Sequence, residues 1–66
     1  MPKKVKQVIA ILEDEGWVLV LQSGSHRTYK HPERVLLVTV SGRWNSTMSV
    51  GMLTSIRRTS GIEELR

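Results

Sequence analysis

No cysteine occurs among the 66 residues, so disulfide staples and thiolate chemistry are excluded. No long apolar run occurs either. The longest, Val8 to Leu12 and Trp17 to Leu21, are far short of the ~18–20 residues of a membrane span and shorter than a signal-peptide core. Both absences point to a soluble, cytoplasmic protein with no membrane partner. Internal repeats, linkers and low-complexity segments are missing as well, so residues 1–66 are expected to form one domain.

The chain is also short of material. A domain this small buries only about 60% of the surface its unfolded form exposes, and its core supplies roughly 3–5 kcal/mol. Little remains to wall off the ~300–1,000 Å³ of a typical small-molecule pocket. A site is therefore expected on the surface, shallow, without a small-molecule cofactor and facing a macromolecule.

Acidic residues are scarce in the middle of the chain. Lys and Arg total ten against six Asp and Glu, and the acids gather at Glu13-Asp14-Glu15 and Glu63-Glu64. Between Gly16 and Gly61 stand six cations (Arg27, Lys30, Arg34, Arg43, Arg57, Arg58) and one acid, Glu33. A basic segment of this kind is the footprint of a polyanion partner, and it is equally what a solvated surface kept for solubility displays.

What is present organises itself by periodicity. Val5, Val8, Ile9 and Leu12 fall at i, i+3, i+4 and i+7, the stripe of an amphipathic helix that Gly16 stops. Its lysines come first and its acids last, against the helix dipole, so packing of the stripe must hold it. Trp17 to Leu21 reads as a strand, Gln22 to Ser25 as a turn, His26 to His31 as a second strand, and His31-Pro32-Glu33-Arg34 as another turn. Val35 to Val40 makes a third strand. Short connections imply an antiparallel meander. Strands one and three are apolar on both faces, which predicts that a partner or a second copy covers part of the sheet.

Ser41 to Thr47 is a polar loop carrying Trp44. Ser49 is placed to cap a second helix, Val50 to Ser60, ended by Gly61, with Met48 and Leu53 at the hydrophobic-staple positions. Val50, Leu53 and Ile56 are assigned to its buried face, with Arg57 and Arg58 pointing elsewhere.

Both histidines lie in one stretch, GSHRTYKHP, residues 24–32. His26 and His31 are five apart and point to opposite faces of a strand, and with no cysteine nearby they build no metal site. Ser25 adjoins His26, but no carboxylate is placed to orient the imidazole for a serine triad. Chemistry on RNA needs less. The 2′-hydroxyl beside each phosphate is a built-in nucleophile, a histidine can move its proton, and cations can stabilise charge on phosphorus. On a strand, His26, Thr28 and Lys30 share one face, and Arg27, Tyr29 and His31 the other. Surface histidines are more often bystanders than catalysts, so spacing alone does not decide. Trp17 and Tyr29 read as core, His31 as a turn residue, and Trp44 as an exposed contact.

Taken together, the helix ending in Gly16-Trp17, then GSHRTYKHP, VTVSG and GMLTSIRRTSGI, resemble the HicA family of bacterial toxins, the YcfA-like small mRNA interferases. The resemblance covers nearly the whole chain. It implies an α+β fold like a double-stranded-RNA-binding domain, in the order α-β-β-β-α, with two helices on one face of a three-stranded antiparallel sheet. It implies a toxin endoribonuclease that cuts mRNA and is held inactive by a HicB-type antitoxin, and it places the catalytic histidine on His26. After Val-Thr-Val the chain departs from the family's usual Pro-Gly-His-Pro-Gly-Lys and reads Ser41-Gly42-Arg43-Trp44-Asn45-Ser46; in the second helix an apolar position has become Arg57. The reading taken is metal-independent cleavage of single-stranded RNA by His26. Gly24 and Ser25 shape the turn, and Ser25, Arg27, Lys30, Arg43, Arg57 and Arg58 contact RNA, with Arg27 and Lys30 near the scissile phosphate. A non-catalytic RNA-binding module of the same fold is the alternative.

Overall fold

The computed structural model describes residues 3–63 and Leu65; Glu64, one of the two C-terminal acids, lies outside the described residues. Helix α1 (Val5–Asp14) buries all four stripe residues, Val5, Val8, Ile9 and Leu12. Its first turn has no acidic residue and its last no basic one, so the dipole gains nothing from side chains. Backbone groups do most of the closing at both ends. At the N-terminus the Val5 N–H donates to the Ser46 carbonyl (2.9 Å) and the Lys6 N–H to the Trp44 carbonyl (3.0 Å). The Lys4 N–H donates to Gln7 Oε1 (2.7 Å). At the C-terminus Gly16, with φ +95°, gives its N–H to Glu13 O, and the Trp17 N–H reaches back to Leu12 O. This pair of bonds is a Schellman closure, and Trp17 and Leu12, both buried, supply its apolar contact.

Strands β1 (Val18–Ser23), β2 (His26–Lys30) and β3 (Val38–Val40) form one antiparallel sheet in the order β1-β2-β3. Helix α2 (Val50–Ser60) follows, with the Met52 N–H donating to the Ser49 hydroxyl (3.2 Å) and Gly61 closing it in the left-handed region at φ +73°. Tyr29, Val38 and Val40 face inward and join the stripes of both helices, Trp17, Met48, Ile62 and Leu65 in a single core. The opposite face of the sheet carries no helix. The α-β-β-β-α order and the α+β architecture expected from the sequence are those observed.

Element limits differ in instructive ways. Trp17 is drawn into the end of α1, so β1 starts at Val18; it runs on to Ser23 because the turn takes only Gly24 and Ser25. β3 is half the expected length. Tyr29 pairs with Val38, and the Arg34 N–H closes a tight turn onto His31 O (3.1 Å). Val35, Leu36 and Leu37 must cover the way back unpaired, and they stand exposed, Val35 at 96%. Val50 is exposed as well, at the first position of α2, and the buried face consists of Leu53, Ile56 and Ser60. All six β1 residues are exposed, because the helices cover β2 and β3 only. A bulge at Val20 interrupts the β1–β2 register and bends this edge strand, a device that discourages edge-to-edge pairing.

His31 ties the halves together. Its Nε2–H donates to the Glu15 carbonyl (3.0 Å) and its Nδ1 accepts from the Glu33 N–H (3.0 Å), contacts that together require the neutral Nε2-protonated ring. The ring also lies 5.3 Å from that of Trp17, tilted by 56°.

Burial raises the Tyr29 hydroxyl above its ordinary 10.0, the nearby Glu13 carboxylate adds to the rise, and Arg27 opposes it. In the unfolded chain Tyr29 releases its proton first. Stability from this group is therefore complete below pH 10 and drains away as pH climbs from there through the folded value. Urea unfolding across alkaline pH should show this decline, and Tyr29→Phe should flatten it.

Candidate functional site

The tip of the β1–β2 hairpin is set by one glycine. A two-residue turn that matches the twist of its strands needs positive φ at its first central position when it is of the II′ kind. Gly24 has φ +58°, and no residue other than glycine has positive φ among the described residues. A Cβ at Gly24 would meet nothing within 4 Å, so backbone torsion, and not space, demands glycine here. The Gln22 amide donates to the Gly24 carbonyl (3.3 Å) and braces the turn; sequence reading had Gln22 only as part of the turn signal.

His26 is the first residue of β2, exposed and opposite Ser23. Its imidazole makes no hydrogen bond within the described residues. Strand alternation puts it with Thr28 and Lys30 on the face that no helix covers. Across the sheet Leu21 and Thr39 flank Thr28, so this open face mixes polar and apolar groups. Lys30, exposed, stands four residues along from His26, about 13 Å at the usual rise of a strand. The structure does not bring those two side chains together.

Arg27 lies on the other face. It pairs with Gln22 on one side and Val40 on the other, is part-buried, and reaches over the ring of Trp44, with its guanidinium carbon 5.6 Å from the ring centroid. Its Nη1 is buried without a hydrogen-bond partner. β3 ends at Val40, opposite Arg27, so the loop that follows leaves the sheet beside the Gly24–His26 tip. Arg43 and Trp44 are thus at the same end of the molecule as His26, and Ser25 is exposed in the turn itself.

The remaining cations are elsewhere. Helix α2 starts near that loop, where the Ser41 hydroxyl meets Met52 Sδ (3.6 Å), and runs back toward Gly61, against which the Arg34 guanidinium is packed. Arg57 and Arg58 are in its last turn, about 10–12 Å from its start, where positive charge suits the helix dipole. A cleft of about 460 Å³ lies at that end, lined by residues that include Trp17, His31, Arg34 and Gly61, and His26 is not among them. Among the described residues no three His, Asp or Glu side chains converge as metal ligands, and no helix is long and apolar enough to cross a membrane.

The family model described as HicA toxin of bacterial toxin-antitoxin matches residues 5–62. No curated protein matches the chain.

The torsional demand at Gly24 is open to a stereochemical test. Gly24→Ala forces an L-residue to positive φ, at a cost of about 1–3 kcal/mol, whereas D-alanine adopts that φ without strain. A chain this short is within reach of chemical synthesis. Melting curves should rank D-alanine with or above glycine and L-alanine well below both.

Proposed function

This chain belongs to the HicA toxin family of toxin–antitoxin systems, and we propose that it is a metal-independent endoribonuclease that cuts single-stranded mRNA with His26. The observation that carries the reading is the placement of one imidazole. It is exposed, makes no hydrogen bond among the described residues, and is mounted on a strand next to a two-residue turn whose shape is fixed by Gly24. A solvent-facing histidine on a fixed backbone is what proton transfer to and from a large substrate requires.

In the proposed reaction His26 takes the proton of a 2′-hydroxyl. The freed oxygen attacks the adjacent phosphorus, the bond from phosphorus to the 5′-oxygen breaks, and a 2′,3′-cyclic phosphate results. The leaving 5′-oxygen takes a proton from solvent water, and His26 gives up to solvent the proton it took, so protons and charge balance without any metal. Negative charge grows on the phosphoryl oxygens, and the guanidinium of Arg43, in the loop beside the hairpin tip, is the exposed cation best placed to attract it. Ser25 offers a hydroxyl to the same phosphate. Lys30, Arg57 and Arg58 serve outlying phosphates of a longer strand, and Arg27 acts from behind the sheet through Trp44.

A toxin needs restraint, and the same geometry suggests how. Val18, Val20 and Leu21 on β1 and Val35 to Leu37 beside β3 are exposed apolar groups of the kind that mark protein contacts. A HicB-type antitoxin seated on β1 and the open face of the sheet would cover His26 at the same time and exclude RNA. Hydrogen exchange on the complex should show protection of residues 18–30; protection confined to the α2 surface would rule out inhibition by occlusion.

His26→Ala tests the catalytic assignment. Because the ring is exposed and unbonded, the melting transition should move by less than about 0.5 kcal/mol equivalent. Cleavage of RNA in excess chelator should fall by ~10²–10⁴-fold, while DNA of the same sequence stays intact with either protein. Parent-like cleavage by a folded His26→Ala protein would remove His26 from the chemistry; absence of cleavage by the parent would leave the RNA-binding module of the same fold.

A further inference from the structure

Trp44 is the unexplained residue of the loop. Tryptophan is among the most buried side chains on average, yet half of Trp44 (49%) is in solvent, amid Ser41, Gly42, Arg43, Asn45 and Ser46. Its backbone is pinned on both sides. The Trp44 carbonyl accepts from the Lys6 N–H, the Ser46 carbonyl from the Val5 N–H, and the Ser46 N–H closes a turn onto Arg43 O (3.0 Å). The indole is held from below by the Arg27 guanidinium, which itself comes from the rigid centre of the sheet.

We propose that Trp44, backed by Arg27, is a stacking platform for one unpaired nucleobase of the RNA. The inference rests on the RNA reading above and adds the feature of the substrate that the site selects. A guanidinium across one face of the ring leaves the other to take a planar partner, and a cation behind an indole strengthens its grip on a π-system. Every base has such a face, so the platform is tolerant of sequence. A base paired in a duplex cannot turn out to use it, so the platform distinguishes single strands from double. Position favours this occupant. Arg27 and Trp44 are on the helix side of the sheet and His26 on the open side, but the loop leaves the sheet beside the hairpin tip. A strand that rounds this tip stacks a base on Trp44 and presents a neighbouring phosphate to His26. Arg43, exposed one residue before Trp44, meets the backbone of the same nucleotide. An antitoxin contact is disfavoured by the surroundings: the neighbours of Trp44 are polar or cationic, unlike the apolar group on β1.

The probe is a short single-stranded oligonucleotide made uncleavable by 2′-O-methylation, with an abasic strand of equal length and a duplex as controls. Binding is followed by tryptophan emission; Trp17, 3% exposed, is the shielded internal reference. The base-bearing strand should quench the parent protein and not Trp44→Ala. Trp44→Ala should bind that strand roughly 5–150-fold more weakly, the range set by stacking of a base on an aromatic side chain. Trp44→Phe should recover most of the loss, and the abasic strand should bind parent and variant alike. Melting should hardly change, since the bond from Lys6 goes to the Trp44 backbone. Equal losses on base-bearing and abasic strands would reduce Trp44 to a support for the loop. Unchanged RNA affinity with weakened antitoxin binding would make it a protein contact. Either result overturns the platform while leaving RNA cleavage standing; failure of the parent to bind any strand overturns both.

Discussion

Burial of Tyr29 fixes the direction of every other residue in β2. It is the one large aromatic in the sheet, 1% exposed, and it can satisfy the stripes of α1 and α2 from one side only. With Tyr29 inward, alternation leaves His26, Thr28 and Lys30 no choice but outward. A slip of register by one residue would bury the histidine and expose the core. The exposure of the proposed catalytic group is thus a consequence of core packing some distance away, and the residue that guarantees it has no chemistry of its own to contribute.

A second dependence runs through the loop after β3. Beyond the Gln7 side chain that accepts from Lys4, helix α1 has no side chain to close its start, and the Val5 and Lys6 N–H groups bond to the carbonyls of Ser46 and Trp44. The helix in turn holds the loop. This exchange lets the loop depart in sequence from Pro-Gly-His-Pro-Gly-Lys, because the bonds involve backbone carbonyls that any residue offers. Side chains at Arg43 and Trp44 are then at liberty to serve a partner, and Arg27 on the sheet meets one of them.

Legibility in the sequence followed the range of the interactions concerned. The helices could be read closely because their limits depend on local devices, Gly16, Ser49 and Gly61, and on a period of 3.6. Trp17 and Tyr29 were legible as core by size. The third strand was not, since Val35-Leu36-Leu37-Val38 is apolar throughout and offers no alternation to locate its start; the turn closing on His31 decided it. The turn itself and the outward histidine could be read, because Gly24 and the period of 2 are local. The double tie of His31 to Glu15 and Glu33 could not, since one partner comes from a distant helix end. The distribution of the cations was hidden for a similar reason. Net charge has no direction, and only the path of α2 shows Arg57 and Arg58 at the opposite end from His26.

That distribution bears on how so small a domain would hold the polyanion of the proposed reaction. Since the cleft of about 460 Å³ does not include His26, the proposed reaction needs a substrate held by contacts spread along the open surface. The structure spaces Arg43 and Trp44 near the hairpin tip, Lys30 further along the open face, and Arg34, Arg57 and Arg58 at the far end. Phosphate attraction at separated points retains a strand without fixing its register. Register has to come from something directional, and an aromatic face beside the hairpin tip is the directional element available. Exposure has a further effect. A group open to any strand is also open to any protein large enough to sit on the sheet, and the apolar residues of β1 adjoin it. Ready access for substrate and ready closure by a partner are therefore two results of the same shallow surface.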